Sequence, residues 1–135
     1  MKPQLYFAHP INSYDTELER ILLAQIRERF TGYEILNPNA PEHFAGYRAE
    51  GMAYFLRRVL PSCEAGALLA FRDRMIGTGV FAEALKLFVS WPRRPVWEIN
   101  LEIPWTFWIP DSIRCLTVEE TRKRIRNPDG SPKPY

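Results

Sequence analysis

The sequence predicts an α/β protein: a single three-layer domain over residues 1–126, with a parallel sheet flanked by helices and a loose tail over residues 127–135. Three observations carry that expectation. Short apolar runs alternate with amphipathic stretches along the chain, the pattern of strands joined by crossover helices. One run, Ala65-Gly-Ala-Leu-Leu-Ala-Phe71, is apolar without alternation, as befits a central strand buried on both faces. Two Thr-x-x-Glu sequences, Thr16 to Glu19 and Thr117 to Glu120, have the form of capping boxes that open helices.

Leu5 to Ala8 forms the first strand, followed by the polar loop His9 to Tyr14. The helix after Thr16 carries an apolar stripe, Leu18, Ile21, Leu22 and Ile26, ends near Phe30 and is stopped by Gly32. Tyr33 to Asn37 is the second strand, closed by Pro38. The turn-rich stretch Asn37 to His43 leads to a helix over Gly46 to Leu60, ended by Pro61. Ala65 to Phe71 is the third strand, and the turn containing Gly77 and Gly79 leads into an amphipathic helix over Val80 to Val89. Trp91 to Pro95 is a connector and Pro95 to Ile99 a fourth strand. The aromatic segment Trp105 to Trp108 is a loop packed on the core or a wall of the site. Ile113 to Leu116 is a fifth strand, and the last helix runs from Thr117 to about Arg126. The expected strand order is 2-1-3-4-5, the flavodoxin-like (Rossmann-like) arrangement. It sets the loops after the first and third strands side by side, where open parallel sheets bind ligands.

At 135 residues the chain is long enough for one core, and 46% hydrophobic with 25% charged residues is the balance of a soluble globular protein. A net charge of +2 gives no argument for a nucleic-acid polymer or an anionic membrane. The N-terminus lacks a signal peptide, and no apolar run reaches the length of a membrane span. Cys63 and Cys115 read as reduced thiols, so the expected compartment is the cytoplasm. No Cys/His cluster has metal-ligand spacing, and neither a metal nor a cofactor is expected.

The chemistry is expected around Phe71 to Leu85. Glu83 falls in the first turn or so of its helix, where unpaired N–H groups and the helix dipole favour an ionised carboxylate. Tyr6, His9, Asp73 and Glu83 converge on one crevice in the expected topology. His9 suits a sugar hydroxyl or a 5′-phosphate, or holds its loop. Asn12 and Ser13 lie in the same loop, before a helix N-terminus able to bind phosphate. Asn39 and Arg48 are further candidates for substrate contact, and Gly77 and Gly79 either approach the ligand or only shape the turn. A basic stripe, Arg122 to Arg126, fits a helix C-terminus.

Tyr6-Phe-Ala-His-Pro near the start and Gly79-Val-Phe-Ala-Glu83 after the third strand resemble the nucleoside 2-deoxyribosyltransferase superfamily, which includes nucleotide N-glycosidases. The resemblance implies that Glu83 is the nucleophile and that Tyr6 contacts it. It implies cleavage of the N-glycosidic bond of a nucleoside or nucleoside 5′-monophosphate, with transfer to water or to another base. It also implies a homo-oligomer in which a neighbouring subunit helps close each site. Where transferases of the family carry an Asp six residues before the Glu, this chain has Gly77, and the nearby Asp73 lies ten residues before it. Asp73 is the candidate to protonate the leaving base or activate water. The competing expectation is a non-catalytic nucleotide-binding module of the same fold.

Overall fold

The computed structural model describes residues 2–100, 105–110 and 115–134. In chain order the elements are β1 (Gln4–Ala8), α1 (Glu17–Arg29), β2 (Glu34–Leu36), α2 (Pro41–Glu50), α3 (Met52–Tyr54), β3 (Cys63–Leu69), β4 (Ile76–Gly77), α4 (Thr78–Phe88), β5 (Val96–Ile99), β6 (Thr106–Phe107), β7 (Cys115–Leu116) and α5 (Val118–Ile125). Among the described residues no helix is long and apolar enough to cross a membrane.

Period-two alternation in the central strands builds a core on each face of the sheet. Leu5 and Phe7 of β1, with Ala65, Ala67 and Leu69 of β3, pack against Leu18, Leu22 and Ile26 of α1. On the opposite face Tyr6, Ala8 and Leu68 meet Val80, Ala84 and Leu87 of α4 together with Phe55 and Val59. Each fully buried Leu or Phe contributes roughly 1.5–3 kcal/mol, so these clusters outweigh the few tenths that separate helix propensities. Gly66 permits the close fit of β3 on α4: a Cβ there would stand 2.6 Å from Leu87 Cδ1.

The α/β class and helices on both sheet faces are as expected, but the far edge of the sheet is not. The five-stranded sheet has the order β2-β1-β3-β5-β6, parallel except for β6, which runs antiparallel to β5. Only residues 100–105 separate β5 from β6. A parallel return needs a crossover of a dozen or more residues, so so short a connection doubles back. The expected fifth strand therefore does not join this sheet. Its described part is β7, which pairs in parallel with β4, Ile76 opposite Cys115 and Gly77 opposite Leu116; Ile113 and Arg114 lie outside the described residues.

The second helical region also differs. It begins at Pro41, whose missing N–H and fixed φ suit a first helical position, rather than at Gly46. It breaks at Gly51 (φ 63°), then continues through α3, the wider turn Phe55–Val59 and the tight turn Leu60–Ser62. The segment after α5, expected to be loose, is tied back. Asn127 N–H donates to Ser131 O at 2.8 Å, and Lys133 N–H donates to Ile125 O at 2.8 Å.

Candidate active site

A cavity of about 280 Å³ opens beyond the carboxyl end of β1, between the loop His9 to Tyr14 and the N-terminus of α4. Val118 and Thr121 of α5 line its far side. The β4–β7 pair fixes this roof, helped by Thr78 Oγ1 donating to Leu116 O at 2.7 Å. Strands β1 and β3 are neighbours whose following helices, α1 and α4, lie on opposite faces, so the cavity occupies the switch point of the sheet.

Glu83 is the one carboxylate among the described residues lining this cavity, and it is only 5% exposed. It stands on the buried stripe of α4, Val80, Glu83, Ala84 and Leu87, at the spacing where a core helix carries aliphatic side chains. Contrary to the sequence expectation, it lies beyond the first turn of α4, whose N–H groups are the ones left without helical partners. The Tyr6 hydroxyl of β1 donates a short hydrogen bond to Glu83 Oε2. Burial is the larger influence and pushes the Glu83 carboxyl up to about 8, while the Tyr6 bond draws it partly down. Near neutral pH the resting group is thus mostly protonated, not ionised. Burial, and next the neighbouring Glu83, push the Tyr6 phenol well above its ordinary value, so Tyr6 remains a donor.

His9 also lines the cavity, but both its ring nitrogens are engaged: Nδ1 lies 2.9 Å from Phe7 O and Nε2 lies 2.6 Å from Glu19 Oε2. Its ring stacks on Phe7 with centroids 3.8 Å apart. Glu19 further accepts from Asp15 N–H at 3.1 Å and from Asn39 Nδ2 at 3.0 Å. Burial alone would raise the Glu19 carboxyl, yet the bonds from His9, Asp15 and Asn39 hold it below its ordinary value. His9 and Asn39 thus brace the cavity loop against α1. Ser13 is buried, its hydroxyl donating to Pro10 O at 2.6 Å, while Asn12 lines the cavity.

Asp73 is not brought to the cavity. It sits in the turn after β3, accepting from Met75 N–H at 3.2 Å and pairing with Arg124 at 2.8 Å. The Arg124 guanidinium holds its carboxyl below the usual range. The turn that was expected to aim Asp73 inward instead directs Arg74 to the buried Glu98 at 2.7 Å and Asp73 to α5. Arg48 is exposed on α2 and lines no part of the cavity, whereas Gly77 and Gly79 do line it.

Tyr14 is the residue that sequence reasoning underweighted. It closes the loop, faces the cavity and rests on His9 at 4.9 Å between ring centroids. Burial first, then the Glu83 and Glu19 charges, push its phenol upward, so it too is a donor at any ordinary pH. Tyr47 and Phe55 complete the apolar wall. The signal for Glu83 was in the sequence: a carboxylate on an otherwise apolar helical stripe. The signal for Tyr14 was weaker, an aromatic ring in a polar loop.

Among the described residues no group of three or more His, Cys, Asp or Glu side chains could hold a metal ion, and both Cys63 and Cys115 are free thiols. Fold and site together define an α/β domain with a carboxyl group at the floor of an aromatic-walled crevice. Compared with family models, curated proteins and solved structures, the chain matches none.

Proposed function

We propose that the protein cleaves the N-glycosidic bond of a nucleoside or nucleoside 5′-monophosphate, with Glu83 as nucleophile. The observation that carries this reading is a buried carboxyl group, held by the Tyr6 hydroxyl, on the floor of a switch-point cavity. An oxocarbenium-like sugar placed over Glu83 favours the ionised carboxylate that burial alone disfavours. The deprotonated Oε attacks the anomeric carbon, the C–N bond breaks, and its electron pair leaves with the base. Water or a second base then attacks the ester and restores the carboxylate; with water, its hydrogen and hydroxyl end on base and sugar respectively.

Asp73 takes no part, being turned toward Arg124. Tyr14 serves in its place as hydrogen-bond donor to the departing base, a role its cavity position supports. Cleavage should rise about tenfold per pH unit and level off near 8, the value to which burial raises Glu83. The test is incubation with nucleosides and their 5′-monophosphates, with and without a free base, followed by chromatography. Glu83→Gln should abolish release of base while leaving ligand binding intact, and unchanged turnover in that variant overturns the proposal. One observation favours the alternative of a binding module that performs no reaction: no second carboxylate lines the described cavity. Ligand-induced stabilisation with no cleavage of any substrate would select it.

A further inference from the structure

The helix α2 buries none of its side chains, yet Phe44 and Tyr47 are 47% and 37% exposed on it. Leaving that much ring surface wet costs free energy in proportion to its area. Next to these rings lies a second cavity of about 180 Å³, walled on its outer side by Pro38, His43 and Phe44. On its inner side it shares Ile11, Tyr14, Tyr47 and Phe55 with the cavity over Glu83. The two adjoin as an inner and an outer lobe, with Tyr14 among their four shared wall residues.

The outer lobe is aromatic. Phe55 stands 5.7 Å from Tyr47 and 5.9 Å from His43 between ring centroids. The one imidazole in its wall already has Nδ1 at 2.9 Å from the Tyr54 hydroxyl. The described wall holds no carboxylate, amide, Ser, Thr, guanidinium or ammonium group, and its polar side-chain groups are the His43 imidazole and the Tyr14 and Tyr47 hydroxyls. It offers faces and edges for stacking and, beyond the Tyr14 and Tyr47 hydroxyls, little to read the hydrogen-bonding edge of a base.

We infer that the outer lobe is the subsite for the leaving base, and that it selects nucleosides by the apolar ring surface of that base rather than by its pattern of donors and acceptors. The inference rests on the proposed cleavage for the word leaving, since only then does the second lobe hold the other product. The preferred substrates are nucleosides whose base is a bicyclic, weakly polar heterocycle. Cytosine and uracil, small and edge-polar, gain least from such a wall.

The experiment is calorimetric titration of the protein with free benzimidazole, indole, uracil and cytosine, joined to cleavage assays on the 2′-deoxyribosides of benzimidazole and uracil. Benzimidazole and indole should bind at least about tenfold more tightly than uracil or cytosine, in keeping with the stacking that aromatic walls provide. Phe44→Ala, which touches only the outer lobe and no core cluster, should remove most of that preference. Phe44→Trp should restore it at unchanged melting temperature, which separates loss of the wall from loss of the fold. Equal binding of the two classes, or a preference untouched by Phe44→Ala, overturns the inference. Cleavage of both deoxyribosides at equal kcat/KM also overturns it while leaving Glu83 as nucleophile. If benzimidazole binds as expected and neither deoxyriboside is cleaved, the aromatic subsite stands and the glycosidic reading falls.

Discussion

Glu83 occupies a position that stability alone would give to Leu or Met, and its protonation links the site to folding. Its ordinary value is 4.5 and burial raises it to about 8 in the folded chain. Below both values the folded and unfolded states are equally protonated and no penalty exists. As pH rises past 4.5 the unfolded chain ionises first, so stability falls progressively until about pH 8 and is level above it. A shift of this size is on the order of a few kcal/mol. Glu83→Gln keeps an acceptor for the Tyr6 hydroxyl and cannot ionise. Thermal melts from pH 5 to 9 should therefore show a flatter profile for the variant, and greater stability than the parent at pH 8 and above. Parallel profiles would mean that Glu83 is not desolvated.

At the scale of elements, α4 is held to the sheet by a close approach that one methyl group disturbs. Gly66→Ala sets a Cβ 2.6 Å from Leu87 Cδ1, inside a packed cluster where Leu87 has little room to turn. Overpacking of this kind costs about 1–3 kcal/mol, which urea denaturation should register. Gly79 is the contrast: a Cβ there meets only Met52 Cε at 3.9 Å. Gly79→Ala should leave stability unchanged or raise it by up to about 1 kcal/mol, because Ala is the better helix former. The same element shows why the sequence misjudged Glu83. The helix starts at Thr78, two residues earlier than the apolar pattern suggested, which carries residue 83 past the dipole's reach and into the core.

For the molecule as a whole, the turn after α5 meets the loop after β1 at the crevice. Arg126, just after α5, donates to Asn12 O at 2.9 Å, Tyr14 O at 3.2 Å and Gly130 O at 2.9 Å. It thereby clamps the cavity loop to the C-terminal turn, which makes that turn part of the site. Arg126→Ala should cost about 1–3 kcal/mol of stability, the usual range for hydrogen bonds from a charged donor. It should also weaken benzimidazole binding, since Tyr14 lines both lobes. Arg126→Lys should recover little, because one ammonium group cannot span three carbonyl oxygens as a guanidinium does. Wild-type binding in Arg126→Ala would show that the loop holds its shape without the clamp.

By itself the sequence determined what depends on local chemistry. Apolar periodicity and the caps at Thr16 and Thr117 located β1, α1, β3, α4 and α5 to within a few residues, because helix starts and buried strands are specified by neighbours in the chain. It also put Tyr6 beside Glu83, where the structure has the Tyr6 hydroxyl bonded to Glu83 beneath the cavity, since the adjacency of the first and third strands follows from the order of elements. Only the tertiary structure decided the rest. A six-residue connection turned β6 antiparallel and sent β7 to roof the cavity beside β4. Asp73 was claimed by Arg124, a residue 51 positions away, and Arg126 reached back 114 positions to Asn12. Polar contacts across such separations leave no periodic trace in the chain, and neither does the burial that sets the proton on Glu83.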